Sequence, residues 1–330
     1  MKIFLQSIIS PPLLLRVLTY LVFFGVSAGC YSVYDFPITM PGAVGKYAES
    51  ILPSSSLIAN VITCSLVILN SMIIAQINNR YAIIRTRTFM PTFIYLLLSA
   101  SWLPAYGNYI AVLAASFVLL AVYIMPGMYK EKGSVEQAFL VFIFLGVASF
   151  LVNEFVVLVL IFWIGFFLLH SFSTRVFFAS ILGFSVPWIF WIAISCFFFD
   201  GIEFIFDYQQ IEMDLTVFDS KNTSAFLYAG AMLAILIIAF VQISTNYRQI
   251  SIESRRIFLF FRVLIITLLL LMSFHFIGFS SYMPLLAIFY ALVTAYVFTL
   301  LKNMFNSVVF TVLCVLNLVF ASYLLIIQSI

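Results

Sequence analysis

Carboxylates are scarce in this chain and unevenly placed. Charged residues make up 8% of its 330 positions, yet residues 200–222, DGIEFIFDYQQIEMDLTVFDSKN, hold six acids against one lysine. Asp200 and Glu203 open that stretch, while Asp35 and Glu49 stand in an earlier polar segment that is broken up by Pro37, Pro41 and Pro53. A carboxylate beside a hydroxyl nucleophile does general-base work. Several carboxylates together would hold a divalent cation through their oxygens. Asp35, Glu49, Asp200 and Glu203 are therefore the candidate catalytic residues, with a divalent cation at the acidic loops as the cofactor they would accommodate. Nothing else in the chain has the spacing of a metal motif, a phosphate loop or a nucleophile elbow. Cys30, Cys64, Cys196 and Cys314 lie too far apart for a zinc or redox pair and read as small apolar residues.

The elements that must position these acids follow from composition. With 65% hydrophobic residues, 39 phenylalanines and a mean hydropathy of +1.20, the chain departs from soluble globular domains, whose apolar share is nearer half. The fold class expected is an all-α integral membrane protein. Its partner is a lipid bilayer, and it has no use for nucleic acid. Apolar windows of membrane-crossing length predict spans near 13–34, 57–77, 89–106, 109–127, 137–152, 154–171, 176–199, 223–244, 257–278, 281–301 and 305–327, about eleven transmembrane helices in one bundle covering residues 1–330. Basic flanks resist translocation. With the N-terminus cytoplasmic and the C-terminus external, only Lys46 and Lys221 of the fifteen basic residues fall outside.

This topology explains where the acids are. Residues 35–56 and 200–222 become the external loops. In the second, Phe204, Tyr208, Ile211, Leu215 and Phe218 recur at helical spacing opposite Asp200, Glu203, Asp207 and Asp214, the pattern of a helix lying flat on the membrane surface. The cytoplasmic loops 78–88 and 245–256 are basic. Arg80, Arg85, Arg87, Arg255 and Arg256 are candidate binding residues for anionic headgroups, each contributing about 1 kcal/mol near the surface, besides setting topology. Two amides complete the candidate binding set. Asn60, Cys64 and Ser71 share one face of the second span, with Asn70 a quarter-turn aside, so this face should look into the bundle. Asn317 in the last span is the expected partner, and helix glue is the default role. No ionisable residue falls at a span centre, which argues against a proton-driven pump with a buried carboxylate relay. Pro187 sits mid-span, where it frees the Gly183 carbonyl and should kink the helix. AQINNRY (75–81) and VQISTNYR (241–248) each end an inward-running span, as a duplicated unit would. The positive-inside constraint would produce the same likeness.

The stretches FLVFIFLGVASFLVNEFVVLVLIFWIGFFLLHSFSTRVFFASILGFSVPWIF (139–190) and NRYAIIRTRTFMPTFIYLLL (79–98) resemble an uncharacterised family of bacterial multi-pass inner-membrane proteins. The resemblance implies a bacterial inner-membrane location and carries no functional residues with it. The layout is also similar to that of multi-pass, GT-C-like glycosyltransferases of envelope glycan assembly. In those enzymes an acid of the first external loop serves as base or metal ligand, the position Asp35 occupies here. Three functions stand in view. The first is work on a lipid or lipid-linked substrate in cell-envelope assembly, by a transferase or a carrier-lipid protein that would meet a lipid-linked glycan. The second is a transporter or flippase, and the third a structural subunit bound to other membrane proteins.

Overall fold

The computed structural model describes residues 11–33, 56–84, 86, 88–101, 108–129, 134–198, 223–246, 250–274, 279–300 and 304–329. Asp35, Glu49, Arg85, Arg87, Asp200, Glu203 and the whole 200–222 segment lie outside the described residues. Within them the chain is all helix with no strand. Eleven α-helices follow in order: α1 (Leu13–Val33), α2 (Ser56–Tyr81), α3 (Met90–Ser101), α4 (Tyr109–Ile124), α5 (Val135–Leu151), α6 (Leu158–Leu168), α7 (Thr174–Phe198), α8 (Thr223–Thr245), α9 (Ile252–Phe274), α10 (Phe279–Leu300) and α11 (Met304–Ser329). Two short 3₁₀ turns, Met125–Met128 and Asn153–Val157, extend α4 and introduce α6. Seven helices are long and apolar enough to cross a membrane: α2, α4, α7, α8, α9, α10 and α11. α3 has 12 residues, about 18 Å at 1.5 Å per residue, and is buried on nearly every side.

The sequence places the helices by hydropathy, but their burial separates them into a centre and a rim. α10 is 83% buried over its apolar window and α4 67%, whereas α7 is 17% buried and presents Phe178, Leu182, Ile189 and Phe190 outward. A helix that is apolar all round is ambiguous from sequence, since lipid and protein interior both accept it. The neighbours decide.

Side-chain contacts show successive helices running in alternate directions. Arg16 at the start of α1 lies over Phe89, just before α3. Ser27 Oγ near the end of α1 donates to Asn60 Oδ1 near the start of α2, at 3.2 Å. Asn108 Nδ2 before α4 donates to Ser281 Oγ in the first turn of α10, at 3.4 Å. Gln242 Nε2 at the end of α8 donates to Asn306 Oδ1 at the start of α11, at 2.7 Å. One end of the bundle thereby gathers the described arginines.

Lipid offers no hydrophobic force to pull helices together, so close backbone approach has to do it. α5 and α7, which run parallel, show how. A Cβ on Gly146 of α5 would lie 2.7 Å from the Phe184 carbonyl oxygen and 3.0 Å from the Pro187 ring. A Cβ on Gly183 of α7 would run into the Phe139 carbonyl. The two glycines thus let each helix sink into the other. α7 continues without a break through Pro187 from Thr174 to Phe198, and the proline ring serves as part of this contact. Further along, Trp188 Nε1 donates to Ser149 Oγ at 3.3 Å, and Trp191 packs on Phe150 at 4.7 Å.

Gly183→Ala pushes a methyl into backbone that cannot move aside and should cost about 1–3 kcal/mol. Gly25→Ala on the exposed face of α1, where nothing lies within 4 Å, should be neutral. Thermal unfolding of the two variants in the same detergent checks the difference.

Candidate functional site

Two of the candidate arginines, Arg80 and Arg256, stand at one end of the bundle, around the Met125–Met128 turn. Asn78, 2% exposed, organises the approach: its Oδ1 accepts from Ile84 N at 2.9 Å and its Nδ2 donates to the Thr86 carbonyl at 3.3 Å. Ala82, at φ 46°, reverses the chain between them, a left-handed conformation that an L-residue adopts only when its surroundings hold it there. The loop after α2 therefore folds back on the helix and leaves Arg80 exposed at its rim.

Two tyrosines hold the Arg80 guanidinium. Its Nη1 donates to Tyr123 Oη at 3.0 Å, and its Cζ lies 5.3 Å from the Tyr81 ring centre and 5.2 Å from that of Tyr123. The two rings meet edge to face at 6.3 Å. Tyr81 Oη is buried against Gly127, where an added Cβ would sit 3.3 Å from it. A guanidinium carries five N–H donors in a planar fork, so this clamp orients the cation while spending one donor on it. The remainder suits a phosphate or carboxylate.

Arg256 stands beyond the same turn, 5.7 Å over the Tyr129 ring, and its Nη1 donates to the Leu168 carbonyl at 2.6 Å. That carbonyl ends α6, whose chain then turns through His170 at φ 57°. Arg256 is thus a cap on the negative end of α6 as well as a surface cation. Arg255 Nε donates to the Ile250 carbonyl at 2.9 Å. Ser251 Oγ accepts from Ser254 N at 3.2 Å, and Glu253 lies in the first turn of α9, both suited to a helix N-terminus. Arg262 donates to Ser244 Oγ at 2.8 Å and to the Phe240 carbonyl at 3.2 Å.

The two candidate amides have separate roles. Asn60 and Cys64 meet Ser27 of α1, the Ser27–Cys64 distance being 2.7 Å. Ser71 meets Tyr20 Oη at 3.1 Å, whereas Asn70 turns to α3 and donates to Tyr95 Oη at 3.4 Å. Asn317 is no partner of that face. Its Oδ1 accepts from Ser101 Oγ and from Tyr228 Oη, both at 2.8 Å, and so ties α11 to α3 and α8. The correction has a geometric cause: α3 reaches Asn317 through its last residue, a position that face matching of long helices does not consider. The tyrosines of the arginine cluster were also missed from sequence. The adjacency of Arg80 and Tyr81 is the one local signal, and Tyr123 joins them only through the packing of α4 on α2.

Replacing Asn317 with Leu removes the shared acceptor of two buried hydroxyls. At about 0.6 kcal/mol per interhelical bond, Asn317→Leu should destabilise the protein by about 1 kcal/mol, and Ser322→Ala on the exposed face of α11 by much less. Thermal melts of both variants read this directly.

Comparison of the chain with protein-family models, with curated proteins and with solved structures gives no match.

Proposed function

We propose that the chain is an eleven-span protein of the bacterial inner membrane, with its N-terminus cytoplasmic, and that it works on an anionic lipid or lipid-linked substrate of the cell envelope. One observation carries the reading. Residues far apart in sequence, Arg80 and Arg256, come to the same end of the bundle around the Met125–Met128 turn, each set against tyrosine, with Arg80 left exposed. Arginine at that depth meets headgroup phosphates, and each contributes about 1 kcal/mol there. The alternating helix directions and the grouping of basic residues at one end support the span number and the orientation. Arg85 and Arg87 would add to the same patch. In this scheme Asp35, Glu49, Asp200 and Glu203 supply carboxylates on the other side of the membrane for transfer chemistry, with or without a divalent cation.

Purification in a mild detergent followed by mass spectrometry of bound lipid tests the proposal. Anionic lipid should remain on the protein and be about five-fold depleted in Arg80→Ala, which corresponds to the loss of about 1 kcal/mol. A topology reporter at the C-terminus should be unmoved by that substitution. Retention unchanged in Arg80→Ala would overturn the headgroup role of Arg80 and leave it the contact with Tyr123. A stoichiometric partner protein without specific lipid would favour a structural subunit.

A further inference from the structure

Among the described residues, Arg80 is a cation that no carboxylate pairs. Its guanidinium is held by a 3.0 Å hydrogen bond from Nη1 to Tyr123 Oη and by the rings of Tyr81 and Tyr123. Glu253 acts on Tyr81 electrostatically but forms no ion pair with Arg80. Cζ and the two ring centres form a triangle with sides of 5.3, 5.2 and 6.3 Å, so the angle at Cζ is acute and both rings lie to one side of the cation. The other side is left to the exterior, and Arg80 is exposed. The two phenols are not equivalent. Tyr81 Oη is buried against Gly127, where an added Cβ would stand 3.3 Å from it. Tyr123 Oη meets Arg80 instead, and having accepted from Nη1 it keeps its own O–H to donate. A hydroxyl that accepts from a cation is polarised into a stronger donor.

The geometry points to a site for a lipid phosphomonoester, a membrane lipid that ends in a terminal phosphate, with Arg80 taking two of the phosphate oxygens and Tyr123 the third. Oxygen count and charge choose this ligand among anionic lipids. A phosphomonoester offers three terminal oxygens and a charge of about −1.5 to −2 at neutral pH. A phosphodiester headgroup or a carboxylate offers two oxygens and a single charge, which the planar fork of a guanidinium satisfies alone. The third donor, adjacent to the fork, is of use to the monoester only. Arg80 and Tyr123 stand in the last turns of α2 and α4, both long and apolar enough to cross a membrane, so the pair sits at the depth where headgroups are met. The inference names the headgroup of the anionic lipid proposed above and rests on that reading.

The full chain in detergent is titrated with dioctanoyl phosphatidic acid and with dioctanoyl phosphatidylglycerol, and native mass spectrometry reads the bound lipid. Phosphatidic acid should bind about ten-fold more tightly, near 1.4 kcal/mol. Tyr123→Phe keeps the ring beside Arg80 and removes the hydroxyl; it should erase most of that preference and leave phosphatidylglycerol binding unchanged. Arg80→Ala should weaken both lipids. Arg80→Lys keeps the charge and loses the fork, and provides a second variant, with the preference again reduced, should Tyr123→Phe fail to fold. Equal affinity of the wild type for the two lipids, or a loss in Tyr123→Phe shared equally by both, would overturn the site. Weakening of both lipids in Arg80→Ala would in that case leave the anionic-lipid reading standing, whereas binding of both unchanged in Arg80→Ala would remove the two readings together. Inorganic phosphate is titrated in parallel. Phosphate binding that needs Tyr123, without binding of phosphatidic acid, would make the ligand a soluble phosphate and overturn the lipid assignment.

Discussion

Hydrocarbon provides no partner for a backbone amide, and the rest of this structure depends on that constraint. Each segment entering the membrane has to satisfy its own N–H and C=O groups, which makes it helical before any side chain is considered. Once helices are obligatory and lipid is as apolar as their side chains, cohesion comes from contact distance and from the few polar groups that the interior admits. Gly146 and Gly183 supply the first, each standing where a methyl group would strike the partner helix. Asn317, Asn60 and Asn70 supply the second, each bonding a hydroxyl on another helix.

The same constraint drives charge to the ends. A guanidinium near the rim reaches water or headgroups while its stem stays in apolar surroundings. Here those guanidiniums also do structural work. Arg256 closes α6, Arg262 bonds the Phe240 carbonyl, and Arg80 joins α2 to α4 through Tyr123. The arginines are therefore more than a topology signal, because the bundle uses them to fasten helix ends that would otherwise expose carbonyls. Away from the arginines, Asn108 and Ser281 join the starts of α4 and α10 through a neutral hydrogen bond.

Much of the fold was legible. Hydropathy located helical segments close to where they stand; the segment expected at 176–199, for example, is the helix Thr174–Phe198. Asn60 and Asn70, placed by sequence on a bundle-facing side of α2, each bond a hydroxyl on another helix. The pairing of Asn317 was not legible, because the short α3 changes which levels of the bundle face each other.

The amino-acid sequence by itself determined that the chain is helical and membrane-embedded and where its helices lie, because those properties follow from local hydropathy and obligatory backbone hydrogen bonding. It also carried the separation of basic from acidic residues along the chain, since that is a count. Only the tertiary structure decided which helices form the centre, with α10 and α4 inside and α7 at the rim, and which polar residues share a site. Apolar faces look alike whether they meet protein or lipid. The clamp on Arg80 is assembled from the ends of two helices, and their proximity is a property of packing that no local stretch contains.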